Sequence, residues 1–263
     1  MRFGLFLIIT LLFLGMASTL SLPSVRPPAR LLILGLPGLG PSWLKKDGQV
    51  IPAGCGPEAA RLLLWYWEAR LGIDLVRADP ERALAALHTL MGTVTVHWQG
   101  VDQGLTWPWK FGQGLEAYVR TKLPGTSVRT LSASLREVFA KAVELLLQGN
   151  PPVLLFDWAG WGGIFPNHYA LVVGYDRKKG ELVVNPGWGY AFQTVPLSDP
   201  AVGPVQLFWL EWPGSAPLPR LSAPLPEDCP AVRGYGEKAA FLPWCGASRA
   251  EELGPGLILL LWD

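Results

Sequence analysis

The sequence has few charged residues and few of the side chains that bind metals. Asp, Glu, Lys and Arg make up 16% of its 263 residues and the net charge is +1, which excludes the basic surface typical of nucleic-acid-binding proteins. The three histidines and three cysteines show no Cys-x-x-Cys or His-x-x-x-His spacing of a metal site. A Gly-x-x-x-x-Gly-Lys phosphate loop is also absent. We therefore expect no metal, no organic cofactor and no nucleic-acid partner.

Only the N-terminus has an uninterrupted apolar run long enough to be a targeting segment. Arg2 precedes an almost wholly apolar stretch from Phe3 to Met16, and small residues follow from Ala17. This is the pattern of an export signal, so residues 1–17 are predicted to be a signal peptide, and the protein is predicted to be exported and therefore extracellular or periplasmic. The uncharged stretch continues to Val25, so an uncleaved membrane signal anchor is the alternative.

Export makes the cysteines informative. Cysteines that lie near each other in an oxidising compartment tend to bridge, so a disulfide between Cys229 and Cys245 is predicted, with Cys55 as the free thiol. Cys55 lies in a Gly-Cys-Gly-Pro motif, and apolar residues recur at helical spacing from there to Leu71. The thiol is predicted to lie in the first turn of a helix, where unpaired N–H groups favour a thiolate and can hold an oxyanion. The alternative is a buried structural cysteine at a tight glycine turn.

Two later stretches add the other residue types of a thiol hydrolase. His168 begins a strand-like stretch that ends at Asp176, and Asn185 ends the next such stretch and is followed by proline. Gln49 lies six residues before Cys55. This order of Gln, Cys, His and Asn, over roughly residues 50–189, resembles the papain-like cysteine peptidases, and most closely their bacterial C39-like branch.

The resemblance implies a role for each of these residues. Cys55 is expected to be the nucleophile that forms a thioester, and His168 the general base. Asn185 is expected to accept an imidazole N–H and orient the ring, as in papain, whereas many C39-like sequences have Asp at this position. Gln49 is expected to donate to the oxyanion together with the Cys55 backbone N–H. Asp157 is the substitute for Asn185 if Asn185 is only a turn residue.

Contact between His168 and Asn185 depends on the register of the predicted hairpin that carries them. If Asp176 pairs with Glu181, the two side chains lie on the same face of the hairpin. If Tyr175 pairs with Glu181, they lie on opposite faces unless a bulge intervenes. The register therefore decides whether the amide can reach the imidazole directly.

The order of elements predicts an α+β fold, with helices in the first half and an antiparallel sheet in the second. The resemblance implies the two-lobed papain-like arrangement, with the cleft between the lobes. The predicted domains are a linker and N-terminal segment (18–45), a peptidase domain (46–212) and a Pro-rich, disulfide-stapled extension (213–263). Residues 256–262 are predicted to add a strand to the main sheet. The Trp-rich stretch 97–111 is predicted to be a loop, either a lid or wall beside the cleft or a cap on the core.

The predicted function is an exported thiol hydrolase that cleaves peptide or other amide bonds in a peptide or protein substrate. A catalytically degenerate papain-like binding module, with a groove lined by Trp, is one alternative. An acyltransferase or transpeptidase that uses the same thioester is another. The complete set of Gln, Cys, His and Asn favours an enzyme over a binding module.

Overall fold

The computed structural model describes residues 27–38, 42–46, 48–157, 167–187, 189, 192–213, 221–234 and 241–263. The predicted signal peptide lies outside these residues. Within them, helices accompany a large sheet, so the predicted α+β class is confirmed. No helix in the described ranges is long and apolar enough to cross a membrane.

Along the chain, the four α-helices lie between residues 55 and 147. They are α1 (Cys55–Leu71), α2 (Pro80–Leu90), α3 (Pro108–Arg120) and α4 (Leu135–Leu147), with a 3₁₀ turn at Pro200–Val202. The side chain of Asp79 caps α2 by accepting the N–H of Arg82. Ser134 and Glu137 form a capping box at the start of α4. Helix α1 ends at Gly72, which adopts the left-handed conformation that glycine permits at a helix terminus.

Two hairpins lie outside the main sheet. They are β2 (Trp43–Lys46) with β3 (Gln49–Pro52), and β4 (Val94–Trp98) with β5 (Val101–Leu105). The second hairpin and the start of α3 replace the loop that was predicted for residues 97–111. Gln99 and Gly100 both have positive φ, as a two-residue hairpin turn requires. The β-branched residues of the Val-Thr-Val run in β4 favour a strand, which explains the difference.

The main sheet contains twelve strands within the described ranges. They are β1 (Arg30–Leu34), β6 (Ser127–Ser132), β7 (Val153–Asp157), β8 (Asn167–Asp176), β9 (Glu181–Asn185), β10 (Phe192–Pro196), β11 (Gln206–Glu211), β12 (Leu221–Ser222), β13 (Ala231–Arg233), β14 (Phe241–Pro243), β15 (Arg249–Gly254) and β16 (Leu257–Trp262). The order is β12-β15-β16-β1-β8-β9-β10-β13-β14, and β7 also pairs with β8, followed by β11 and β6. The pairs are antiparallel except for β10 with β13, which is parallel. Because β16 pairs with β1, the strand predicted at residues 256–262 is confirmed.

Strand β8 is the centre of the fold. It pairs with β9 on one side and with β7 and β1 on the other, and it is buried from His168 to Asp176. Helix α1 packs on this strand, and its side chains Leu62 and Tyr66 are fully buried in the core. This packing brings Cys55, the first residue of α1, to the beginning of β8.

A disulfide closes a loop within the C-terminal extension, and an aromatic contact ties the extension to β1. Cys229 and Cys245 are bonded, as predicted, and Cys55 is the free cysteine. The indole Nε1 of Trp262 donates to the carbonyl oxygen of Cys245 at 2.9 Å. The guanidinium of Arg30 lies 3.9 Å from the ring centroid of Trp244, a cation–π contact across the junction of β1 and the extension.

Candidate active site

Cys55 lies at the N-terminus of α1 and is partly exposed. The preceding residue, Gly54, has a φ of 87°, a conformation that residues with a side chain rarely adopt. The Cys55 thiol lies within hydrogen-bonding range of its own N–H and the N–H groups of Gly56 and Tyr169. Two of these N–H groups belong to the first turn of α1 and the third to β8, so the thiol lies where helix and strand meet.

Burial raises the pKa of the Cys55 thiol above its ordinary value. The N–H groups of Tyr169, Cys55 and Gly56 act in the opposite direction, and the nearby Glu58 carboxylate adds to the increase. The sequence led us to expect that the helix N-terminus would favour the thiolate. The N–H groups do act in that sense, but burial outweighs them, so the thiol is protonated at neutral pH.

His168 is buried at the beginning of β8, with its ring edge-on to the ring of Phe156. Its Nε2 atom lies 2.9 Å from the carbonyl oxygen of Pro186. A carbonyl oxygen only accepts, so Nε2 carries a proton and, in the neutral ring, Nδ1 carries the lone pair. Burial lowers the pKa of His168 to about 3, although the bond to Pro186 acts to raise it. The imidazole is therefore neutral at physiological pH.

Asn185 makes other hydrogen bonds than the one that the sequence led us to expect. Its Oδ1 accepts the N–H of Gly187 at 3.0 Å, and its Nδ2 donates to the carbonyl oxygen of Pro37 at 3.3 Å. Within the described residues, the carbonyl that accepts from His168 Nε2 is that of the next residue, Pro186. Asn185 therefore stabilises the turn that presents this carbonyl.

A β-bulge explains why the amide and the imidazole are separated. Asp176 pairs with Glu181, the register that would place both side chains on one face. The pairing then shifts between Val172 and Gly174, so that Asn185 lies opposite Leu171. Directly opposed residues point to the same face, and successive residues along a strand point to opposite faces. Because Leu171 is three residues after His168, Asn185 and His168 leave the hairpin on different faces.

Two aspartates lie on β8 and on the neighbouring strand β7. Asp176 is at the far end of the hairpin, where its Oδ1 accepts the N–H groups of Lys178 and Lys179. Asp157 ends β7, where it pairs with Asn167, one residue before His168. Asp157 thus lies on the strand beside His168, and its predicted role as the substitute for Asn185 remains a prediction.

Gln49 lies at the exposed start of β3, paired with Lys46 beside the turn of the β2–β3 hairpin. A strand rises about 3.3 Å per residue, so the Cα atom of Gln49 is about 10 Å from that of Pro52, which is nearer to Cys55 in the chain. Gln49 lines neither of the two cavities that contain Cys55. Its predicted role as the oxyanion donor remains a prediction without support from this geometry.

Cys55 and His168 line one cavity of about 350 Å³. Its walls are mostly apolar and come from the β4–β5 hairpin and the start of β8: Val96, Trp98, Gln103, Gly104, Leu105, Thr106, Asn167 and Tyr169. Tyr169 fixes the hairpin to β8, since its hydroxyl donates to the carbonyl oxygen of Thr106 at 3.2 Å. The thiol and the imidazole thus share a space that could hold part of a substrate.

Cys55 also lines a second cavity, of about 210 Å³. Glu58 lies in its wall, buried, and its Oε2 accepts two hydrogen bonds from Arg61, the shorter at 2.7 Å. Burial raises the pKa of the Glu58 carboxyl, and the Arg61 guanidinium opposes this. The pair places a buried, compensated charge close to the thiol.

Two functional candidates were missed from the sequence: the Pro186 carbonyl and the side chain of Gln103. The first is a backbone atom, which no residue-type motif reports. The second lies on a hairpin whose signal was present in the sequence, namely the run of β-branched residues Val-Thr-Val shortly before Gln99 and Gly100. That signal predicts the alternation of the side chains, but not the contact of this hairpin with Cys55.

Comparison with known proteins gives structural similarity only. No protein-family model matches the chain, and no curated protein matches it. Among solved structures, a fragment of prointerpain A from Prevotella intermedia has a TM-score of 0.48 and 11% identity, covering 68% of this chain and 71% of that chain. The Pseudomonas avirulence protein AvrPphB has a TM-score of 0.30 and 11% identity, covering 60% of this chain and 90% of that chain. At this identity, neither similarity identifies the function of this chain.

Proposed function

We propose that this chain is an exported, papain-like thiol hydrolase that cleaves peptide or other amide bonds through a thioester on Cys55. The observation that carries the proposal is the shared cavity of about 350 Å³, whose wall contains both the Cys55 thiol and the His168 imidazole. A free thiol at a helix N-terminus, with an imidazole fixed beside the same cavity, is the arrangement that nucleophilic acyl chemistry requires.

In the proposed acylation step, Sγ of Cys55 attacks the carbonyl carbon of the bound amide while Nδ1 of His168 takes the thiol proton. Burial keeps both groups neutral in the free protein, because it raises the pKa of the thiol and lowers that of the imidazole. Proton transfer therefore accompanies the attack. The C–N bond then breaks, the leaving amine receives the proton from His168, and the acyl group remains on Sγ as a thioester.

Deacylation uses the same two residues. His168 takes a proton from water, the resulting hydroxide adds to the thioester carbonyl, and the C–S bond breaks. Sγ leaves and regains the proton from His168, which releases a carboxylic acid. If an amine takes the place of water, the product is a new amide, so the same site also supports acyl transfer.

Pro186 and Asn185 are positioning residues in this mechanism. The Pro186 carbonyl holds Nε2–H of His168, which fixes the plane of the ring and directs the other nitrogen away from the turn. The same carbonyl stabilises the imidazolium that forms during the reaction. Asn185 contributes by holding the N–H of Gly187, one residue beyond that carbonyl.

The substrate class is a peptide or protein with an apolar side chain near the scissile bond. Val96, Trp98 and Leu105 give the cavity beside Cys55 an apolar wall. An apolar side chain that enters this space would exchange water for these contacts, a gain of roughly 25 cal/mol per Å² of buried apolar surface.

We also propose that the protein is exported. The basic residue and apolar run at the N-terminus support this, and so does the Cys229–Cys245 disulfide, a bond that persists in oxidising compartments. We expect the mature chain to begin at Ser18. Mass spectrometry of the N-terminal peptide from an exporting host tests this; full-length cytosolic protein that retains Met1 would contradict it.

Incubation of the purified, exported chain with a mixed peptide library tests the catalytic proposal. We expect new peptide ends in the product mass spectra from the wild type and none from Cys55→Ala or His168→Ala, provided that circular dichroism shows both variants folded. New amide products on addition of an amine would assign the chain to acyl transfer. If the wild type cleaves nothing and forms no amide, the catalytic proposal is wrong and a binding module is the better account.

A further inference from the structure

The backbone of the β4–β5 hairpin touches the residue before Cys55. A Cβ atom on Gly104 would lie 2.6 Å from the Cα of Gly54, and one on Gly54 would lie 2.6 Å from the carbonyl oxygen of Gly104. The two backbone segments approach this closely because both residues are glycine. The contact fixes β5 beside the start of α1, although the two segments are about fifty residues apart in the sequence.

Gln103 is the side chain that this contact brings to the thiol. It lies next to Gly104 on β5, directly opposite Val96, and directly opposed side chains lie on the same face of a hairpin. That face also carries Trp98 and Leu105, and all four residues line the cavity that holds Cys55 and His168. Gln103 is thus directed toward the reacting groups, while the opposite face of the hairpin carries His97 and Asp102.

Among the described residues, Cys55 and Gln103 line both the cavity of about 350 Å³ and the cavity of about 210 Å³. The other residues that line the two cavities differ, so Cys55 and Gln103 lie where the cavities adjoin. A substrate whose carbonyl carbon is attacked by Sγ would cross this boundary, with its two halves in the two cavities.

Three of the other polar side chains around the thiol are hydrogen-bonded elsewhere, and two of these three are carboxylates. Glu58 and Asp102 are carboxylates, which repel an oxyanion and accept from Arg61 and His97 respectively. The Thr106 hydroxyl is hydrogen-bonded to that of Thr93 at 2.7 Å. The amide of Gln103 makes no side-chain hydrogen bond within the described part of the chain, and it carries two N–H donors without a charge.

We propose that the Gln103 amide, together with the backbone N–H of Cys55, binds the oxyanion of the tetrahedral intermediate. This inference rests on the proposed function. It assigns to a residue of the β4–β5 hairpin the role that the sequence pattern assigns to Gln49, which lies exposed and outside both cavities. Gln103 is a catalytic residue in this account, since it touches the reacting oxygen.

The test is a comparison of Gln103→Ala and Gln103→Glu with Gln49→Ala and Gln148→Ala, measured on a peptide that the wild type cleaves. Gln148 is a matched control, because it is an exposed glutamine that lines neither of the two cavities. Loss of one oxyanion donor lowers kcat by about 10²–10³-fold. We expect this loss in both Gln103 variants with KM changed by less than about threefold, and kcat within about threefold of wild type in both controls.

Two further readouts separate oxyanion binding from a structural role. A peptide aldehyde forms a tetrahedral adduct with the thiol, so its affinity should fall in parallel with kcat in Gln103→Ala. Alkylation of Cys55 by iodoacetamide forms no oxyanion, so its rate constant should not change. If Gln103→Ala keeps wild-type kcat, or if Gln49→Ala shows the loss instead, this inference is wrong while the proposed function stands. A wild type that cleaves no peptide overturns the proposed function, and this inference with it.

Discussion

Nε2 of His168 lies 2.9 Å from the carbonyl oxygen of Pro186, so a backbone carbonyl holds this nitrogen of the imidazole. Asn185 stands one residue before Pro186 and accepts the N–H of Gly187, so it holds the turn rather than the ring. The Asn185 side chain, which the papain-like pattern associates with the imidazole, therefore acts on the ring indirectly, by holding the turn that contains Pro186. This difference changes the expected behaviour of substitutions at Asn185.

We expect Asn185→Asp to be destabilising, although many C39-like sequences have Asp at this position. The buried Asn185 Nδ2 donates to the carbonyl oxygen of Pro37 at 3.3 Å, and a carboxylate would place two acceptors together there. The expected loss is about 1–3 kcal/mol in the free energy of unfolding, measured by urea titration. Asn167→Asp makes the same chemical change at an exposed residue and should cost less than about 0.5 kcal/mol. Equal stability of Asn185→Asp and wild type would contradict the hydrogen bond to Pro37.

His168 should make the protein less stable in acid. Its pKa is about 3 in the folded chain, because burial disfavours the charged ring, against an ordinary value of 6.5 in the unfolded chain. Between these values the unfolded chain binds a proton that the folded chain does not. The free energy of unfolding therefore decreases as the pH falls from about 6.5 toward 3, by at most about 1.4 kcal/mol per pH unit from this group. Above pH 6.5 the contribution is constant.

The matched variant for this pH dependence is His168→Gln, whose amide can still donate to Pro186 but does not titrate. Urea titrations between pH 4 and pH 7 should show that the variant gains stability relative to wild type as the pH falls. A stability difference that stays constant over this range would mean that His168 titrates at its ordinary pKa.

Local signals in the sequence were sufficient for the helices and for the position of the thiol. The Gly-Cys-Gly-Pro motif places a proline in the first turn of α1, and Asp79 and Ser134 cap α2 and α4 through hydrogen bonds within three residues. These interactions do not depend on the rest of the fold, so the sequence alone predicts them. The α+β order of the elements follows in the same way.

The parts of the site that the sequence did not predict depend on distant contacts. The bulge between Val172 and Gly174 moves Asn185 to the face opposite His168, and no residue pattern in the hairpin identifies the bulge. The position of Gln103 depends on the approach of Gly104 to Gly54, which joins segments far apart in the chain. The pKa of Cys55 is governed by burial, which motif and spacing do not report.

The C-terminal disulfide should contribute to stability through the unfolded chain. Cys229 and Cys245 are 16 residues apart, and closing a loop of this length contributes about 3 kcal/mol in the chain-entropy model. We expect Cys229→Ser with Cys245→Ser to lower the free energy of unfolding by about this amount in urea titrations. Cys55→Ser is the control, since that residue forms no disulfide. Under denaturing, non-reducing conditions, thiol titration should give one free thiol per chain; three would contradict the bridge.

The cavity beside Cys55 should select apolar side chains through Trp98. This indole lies in the cavity wall and is about half exposed. Trp98→Ala should lower kcat/KM about tenfold, or about 1.4 kcal/mol, for peptides with a large apolar residue near the scissile bond. Trp109→Ala removes a similarly exposed indole that is not part of this cavity and should have little effect. Equal effects of the two substitutions on all peptides would contradict selection by this cavity.

The central claim is that Cys55 is a nucleophile activated by His168, and labelling with a peptide acyloxymethyl ketone tests it most directly. The probe reacts with a catalytic thiol that lies beside a bound peptide, and mass spectrometry of the digested protein locates the adduct. The account predicts one adduct, on Cys55, that forms at least about 100-fold more slowly in folded His168→Gln, since general-base catalysis contributes roughly 10²–10⁴-fold. An adduct on another residue, or equal labelling rates of wild type and His168→Gln, would contradict it.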